Sequence, residues 1–180
     1  MDSSFAELKK HIRSIPDWPK KGVVFRDIST LIADKLIFRK VIDVFVYRYL
    51  QAEIDAVVAI DARGFIIGAP LAYLLNTSFV PVRKKDKLPG DTIGRAYSLE
   101  YGEAEVEIHT DALQKGERVL LVDDLIATGG TMLAAAQLIE QLGAKIFEAT
   151  AIIDLPDIGG SAKLRSAGVS VHTFCEFEGD

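Results

Sequence analysis

VLLVDDLIATGGT, residues Val119–Thr131, is the stretch from which the fold is read. Val119–Val122 is a short, unbroken apolar run, which suits a strand buried on both faces; a buried helix segment is the rival reading. The run ends on two adjacent carboxylates, Asp123 and Asp124, and three loop residues then lead to the small, polar Thr128-Gly129-Gly130-Thr131. From Met132 the pattern turns helical. Gln137, Glu140 and Gln141 share a polar face, the other positions are mostly Ala, Leu, Ile and Met, and Gly143 is placed to cap the end. The order is strand, acidic pair, glycine-rich loop, helix.

Each part has a chemical use. A glycine-rich turn that opens a helix gathers several backbone N–H groups at the positive end of the helix dipole, which makes a phosphate cradle. The Thr128 and Thr131 hydroxyls can donate to the same oxygens, and the two Asp side chains accept only, which matches the paired hydroxyls of a ribose. Their charge also favours positive charge building up on the sugar. A pocket with both features suits a ribose 5-phosphate. No Gly-Lys-Ser/Thr follows the glycines, so the loop is not a Walker sequence, and it is not GxGxxG. An acidic pair at a strand end also suits Mg²⁺, and a plain strand–helix turn would need only the two glycines.

Outward from this stretch, Val57–Asp61 reads as a second buried strand ending in an acid, followed by Ala62-Arg63-Gly64 and a helix over about 65–76. A cation and a glycine at a helix start make a second anion site, although for the tripeptide alone a solvated Arg beside a turn glycine is the better reading. Ser78–Val82 is a third short strand, and it opens into RKKDKLPGDT (residues 83–92), with four cations in its first five residues. A charge run is ordinarily a solvated loop; beside two other anion-binding loops it reads as a mobile basic flap over a diphosphate. All three candidates follow strand ends, where ligands sit in open parallel sheets.

The remaining elements fit an α/β fold with a mainly parallel sheet. Ser4 and Glu7 form a capping-box pattern for a helix over about 5–14, which Pro16 and Pro19 stop. Asp34 caps a helix over about 35–52. Residues 96–101 and 104–109 form a hairpin with outward acids at Glu103, Glu105 and Glu107, and carry Glu100. Residues 146–154 and 169–174 are strands, with a short helix near 161–167 between them. Arg26 and Asp27 on their own suit a surface ion pair.

The chain has 180 residues, 49% hydrophobic and 26% charged, with net charge −5. That length supports one domain with a proper core, and the acidic balance argues against general nucleic-acid or membrane-surface binding. The single cysteine, Cys175, excludes an intramolecular disulfide and suits a reducing compartment. The charged N-terminus does not resemble a signal peptide, and no apolar segment is long enough to span a bilayer, so a cytoplasmic protein is expected. His11, His109 and His172 lie in no catalytic spacing, and no Cys/His metal pattern occurs.

With these residues assembled, the chain resembles the type I phosphoribosyltransferases through VLLVDDLIATGGT, the motif that binds 5-phospho-α-D-ribose 1-diphosphate (PRPP). DARGFIIG at Asp61–Gly68 adds to the match. GVVFRDIS at Gly22–Ser29 and RKKDKLPG through SLEYG at Arg83–Gly102 narrow the resemblance to the adenine branch, over nearly the whole chain.

The resemblance implies one domain, residues 1–180, with a hood from about the first 34, a mainly parallel central sheet and a flexible antiparallel hairpin. It implies conversion of adenine and PRPP to AMP and diphosphate with Mg²⁺. Ala127, Thr128, Gly129, Gly130 and Thr131 would hold the 5′-phosphate, and Asp123 and Asp124 the ribose, one of them through Mg²⁺-bound water. Ala62, Arg63, Gly64, Arg83, Lys84 and Lys87 would meet diphosphate, with a cis peptide at Asp61–Ala62. Val24, Phe25, Arg26 and Leu125 would hold adenine. Glu100 would be the acid/base beside the purine imidazole, working with Arg63 and Lys84. A homodimer, and no nucleic-acid or membrane partner, are implied too. The family commonly has proline where Lys21 stands, before the glycine of GVVFRDIS. An enzyme of the same fold for a 6-oxopurine and a non-catalytic PRPP-sensing regulator are the alternatives.

Overall fold

The computed structural model describes residues 8–98 and 102–178. Its main sheet is built outward from β3 (Ala56–Ile60), buried throughout, and β7 (Arg118–Val122), buried from Val119 on, which pair in parallel. Parallel partners extend it on both sides. β4 (Ser78–Lys84) lies beside β3, while β9 (Lys145–Asp154) and β10 (Val171–Glu176) continue beyond β7. The other edge is antiparallel: β6 (Glu103–His109) pairs with the end of β4, and β5 (Thr92–Ser98) with β6. The order is β10-β9-β7-β3-β4-β6-β5, with the two-residue β8 (Leu125–Ile126) pairing with β9.

Both faces of β3 and of Val119–Val122 in β7 are covered, which explains their unbroken apolar sequences. Val57, Ala59, Leu120 and Val122 face a cluster with Val41, Phe45, Ile67 and Leu71 from α2 (Lys35–Tyr49) and α3 (Arg63–Leu75). Val58, Ile60, Val119 and Leu121 point the other way, toward Met132, Ala135, Leu138 and Ile139 of α4 (Gly130–Gln141) and Leu164 of α5 (Gly160–Ser166). A single strand thus serves two cores by its period of two.

Several expectations are refined. Asp34 caps α2 as expected, its carboxylate accepting from the N–H groups of Leu36 and Ile37. The helix ends at Tyr49, before the expected 52, because the chain turns through Glu53, at φ 51°. The helix expected over 5–14 survives only as helical residues 8–10 among those described. Arg13–Pro16 is instead strand β1, paired antiparallel with β2 (Val24–Asp27). The short α1 (Ser29–Ala33) follows. Tertiary pairing outweighs local helix preference at Arg13, whose guanidinium bonds Asp27 at 3.1 Å through Nε. Asp27 therefore does not pair with Arg26, which donates to Ser14 Oγ at 2.6 Å. Glu107 is buried, not outward, and accepts the Asp86 N–H at 3.1 Å. The three expected loop residues after Asp124 contain β8. The last strand runs two residues later than expected.

The β1–β2 unit has a built-in acid sensitivity. The Ser29 hydroxyl and the Arg13 guanidinium hold the Asp27 carboxyl down at about 2, against 3.8 when free. A depressed folded value contributes stability above the unfolded pKa and loses it as pH falls through the folded one. The urea midpoint should therefore fall between pH 4 and 2, and Asp27→Asn should have a lower midpoint at pH 7 and a shallower decline. Parallel curves for the two proteins would contradict this.

Candidate active site

In the sheet order β3 has β4 on one side and β7 on the other, so the carboxyl ends of β3 and β7 border a topological switch point. Ala59 of β3 is level with Val122 of β7, and Ile60 with Val82 of β4. The residues that follow these ends, Asp61, Asp123 and Arg83, are therefore neighbours. A cavity of about 320 Å³ opens there, lined by Asp61, Ala62, Arg63, Lys84, Asp123 and Asp124.

Two ion pairs bridge the loops. Arg63 Nε donates to Asp124 Oδ2 at 2.5 Å, joining the loop after β3 to the acidic pair. Arg83 Nε donates to Asp61 Oδ2 at 3.0 Å, and its Nη1 donates to the Lys87 carbonyl at 2.9 Å, joining the basic segment to the same place. Asp124 is 3% exposed. Burial opposes the Arg63 charge, but the Asp124 and then the Asp123 carboxylates outweigh it and raise its pKa. Burial first, and the Asp124 charge second, push the Asp123 carboxyl well above the ordinary carboxylate range. The acidic pair is thus held close, with its inner hydrogen bond running from the Asp124 N–H to Asp123 Oδ1 at 2.8 Å.

The close approach of α3 to the acidic pair depends on Gly64. A Cβ there would stand 2.9 Å from the Val122 carbonyl oxygen and 3.1 Å from Asp123 Oδ1. The Asp61–Ala62 peptide is cis, as expected. Neither α3 nor α4 has a side-chain cap at its start. Among the described residues, no backbone acceptor receives the N–H groups of Thr128, Gly129, Gly130, Thr131 or Met132. These are the free donors of a helix N-terminus, with Thr128 exposed and Thr131 half-buried beside them.

The β1–β2 unit leans on the same region. The Arg63 guanidinium lies 5.5 Å from the Phe25 ring centroid, and Trp18 meets Phe25 edge to face at 4.4 Å. Arg26 lies over Phe177 at 4.5 Å. Val24, Phe25 and Arg26 are half-buried on β2. Among the described residues β2 pairs with β1 alone, so alternate backbone N–H and C=O groups on its other edge can meet a ligand. The turn before it is tied by the Gly22 N–H donating to Asp17 Oδ1 at 2.8 Å, and Lys21 is exposed.

A family profile described as the phosphoribosyl transferase domain matches residues 28–171. The chain is 62% identical over 180 residues to an adenine phosphoribosyltransferase of Marinobacter nauticus, covering all of both chains. The chain belongs to the adenine phosphoribosyltransferase family. Its fold is that of solved family members. The Saccharomyces cerevisiae enzyme, complexed with an imino-altritol bisphosphate and adenine, is 36% identical with a TM-score of 0.90, over 97% of this chain and 100% of that one. The Trypanosoma brucei enzyme, in complex with AMP, pyrophosphate and ribose-5-phosphate, is 31% identical with a TM-score of 0.88, over 97% and 80%.

Within this phosphoribosyltransferase fold, Ala62, Arg63, Lys84, Asp123 and Asp124 line one cavity. Arg83 reaches it through Asp61, and Phe25 through Arg63. Lys87 is exposed and contributes its carbonyl to Arg83, while its side chain is not among the cavity lining. The Ala127–Thr131 loop does not line this cavity; it follows the acidic pair across β8, on which Leu125 is half-buried. Glu100 lies outside the described residues. Lys85, counted in the basic run, is bound to Glu105 at 2.7 Å instead. The sequence reading missed Asp61 as the anchor of Arg83; its only signal was an acid ending a buried strand opposite a cation-rich loop.

Mg²⁺ is the metal the family implies. Asp123 and Asp124 offer the hard oxygen donors it takes, and one or two carboxylates suffice for an ion that keeps most of its waters and rides on phosphates. Among the described residues no group of three or more His, Cys, Asp and Glu could hold a metal.

Proposed function

We propose that the chain transfers the 5-phosphoribosyl group of PRPP to adenine, giving AMP and diphosphate. The observation that carries this reading is the Arg63–Asp124 pair. A guanidinium and a carboxylate meet in one cavity, close in sequence to a helix start with free N–H donors, which supports a cation for diphosphate beside an acceptor for ribose. In this reading Thr128–Thr131 grip the 5′-phosphate, and Asp123 and Asp124 accept from the ribose hydroxyls. Arg63, Arg83, Lys84 and Lys87 take diphosphate. Phe25, Val24, Arg26 and Leu125 hold the purine, with the free edge of β2 offering a donor to N1 and an acceptor to the 6-amino group.

The bond from N9 to the anomeric carbon forms as the bond from that carbon to diphosphate breaks, with positive charge on the ribosyl ring between. The carboxylate pair favours that charge, and the cations favour the charge on the departing diphosphate. Bound Mg²⁺ supplies further neutralisation of the phosphates. Glu100 exchanges the proton of the purine imidazole. Glu100→Gln should then lower kcat by at least about tenfold while PRPP affinity changes little. Equal losses in both would remove Glu100 from this role.

Turnover of adenine, hypoxanthine, guanine and xanthine with PRPP tests the activity. Adenine alone should react, because a 6-oxopurine reverses the polarity at N1 and at position 6. Turnover of an oxopurine without adenine would contradict the reading, as would PRPP binding without conversion of any base.

We also infer one domain with a hood up to about residue 34, and a homodimer. Ile66, Tyr73 and Leu74 on α3 and Phe79 on β4 are exposed, Tyr73 to 84%. They run outward from the Arg63 end of α3, a face that a second copy would cover. Light scattering should give twice the chain mass; a monomer at micromolar concentration would contradict it. The single cysteine suits a cytoplasmic location, which recovery of the activity outside the cytoplasmic fraction would contradict. No helix among the described residues is long and apolar enough to cross a membrane.

A further inference from the structure

We propose that Gly160 is a positioning residue that sets the Ala127–Thr131 loop from behind; this rests on reading that loop as the 5′-phosphate site. Gly160 stands at the start of α5, after β9 and a 3₁₀ turn over Pro156–Ile158, far from the motif in sequence. Its N–H donates to the Ala127 carbonyl at 3.0 Å. A Cβ on Gly160 would stand 2.2 Å from that carbonyl oxygen, 2.6 Å from the Gly129 nitrogen and 2.8 Å from the Thr128 carbonyl carbon. The contact is reciprocal: a Cβ on Gly129 would stand 2.8 Å from the Gly160 carbonyl oxygen. All the nearest atoms on both sides are backbone, so no flexible side chain can move aside. Two backbones meet here with only hydrogens between them.

The physical consequence is that the cradle cannot relax backward. Its N–H groups at 128–131 have no backbone acceptor among the described residues, and such a loop needs a support to keep its donors converged. Gly160 supplies the support by one hydrogen bond and by direct contact, without touching the ligand. A methyl group at 160 pushes the Ala127–Gly129 segment forward by a substantial part of an ångström. A displacement of that order misplaces donors that must meet phosphate oxygens together.

Gly160→Ala should weaken AMP binding by about tenfold and raise the KM for PRPP similarly. Affinity for adenosine, which lacks the 5′-phosphate, should stay within about twofold. Calorimetric titration of wild type and variant with AMP and adenosine reads both. If the wild type binds AMP no better than adenosine, the phosphate-site reading itself fails. If it binds AMP better and Gly160→Ala keeps the same preference, the positioning role fails while the site stands. Should the variant not fold, hydrogen exchange on the wild type decides. AMP should slow exchange of the Gly160 N–H, because the loop and its support order together; exchange unchanged by AMP overturns the proposal.

Discussion

Replacing Arg63 by alanine should lower kcat/KM for adenine and PRPP by on the order of 10²–10³-fold, the usual cost of deleting one preorganised charge partner. The structure gives two reasons for so large an effect. Arg63 is the cation nearest the acidic pair, and both Asp124 and Asp123 raise its pKa, so its charge is permanent at any working pH. It also lies against the Phe25 ring, so its loss loosens the contact between β2 and the cavity. A stability cost accompanies the catalytic one. Asp124, 3% exposed, is left without the guanidinium, and a buried charge deprived of its partner costs about 3–5 kcal/mol. Arg63→Lys should not rescue the activity fully, because an ammonium cannot reproduce a planar, multi-donor contact. Steady-state kinetics with PRPP varied, alongside urea unfolding, separates the two costs. An Arg63→Ala enzyme within about threefold of wild type would remove Arg63 from the leaving-group site.

Asp124→Asn should weaken PRPP binding by about 10- to 100-fold, the range expected when charged hydrogen bonds to the ribose become neutral ones. The amide can still accept from one hydroxyl, but it presents a donor where the other needs an acceptor. The Arg63 pair is weakened at the same time, so the two substitutions act on one unit and should not add. In the double variant Arg63→Ala/Asp124→Asn the loss should be smaller than the product of the single losses. Strict multiplicativity would mean that the 2.5 Å pair has no part in binding. Equilibrium titration of each variant with PRPP reads both outcomes, and unchanged affinity for Asp124→Asn would take Asp124 out of the ribose site.

The local units of this fold were legible because each carries its own pattern. Val119–Val122 was readable as a strand buried on both faces, since alternate residues serve different cores. Asp34 announced its helix by chemistry alone, and its carboxylate accepts the two expected N–H groups. Contacts between units were less legible. Nothing in DARG or VDDL states that Arg63 bonds Asp124, two residues 61 positions apart, although both were placed at one sheet edge. β8 was hidden because two residues have no period, and only pairing with β9 makes them a strand. Arg13 and Ser14 read as the end of a helix because the strand partner of Arg13–Pro16 lies beyond two prolines. Ahead of the short helix near 161–167, Gly160 carries no local sign of its neighbour; its closeness to Ala127 exists only once β9 has turned the chain back.

The central claim is that the loops after β3 and β7 and the basic segment after β4 grasp one sugar phosphorylated at two positions. A crystal structure of the protein with AMP, diphosphate and Mg²⁺ tests it most directly. The 5′-phosphate should lie within hydrogen-bond distance of the Thr128–Thr131 N–H groups, the ribose hydroxyls on Asp123 and Asp124, and diphosphate on Arg63. A phosphate bound elsewhere, with those N–H groups turned into the protein, would contradict it.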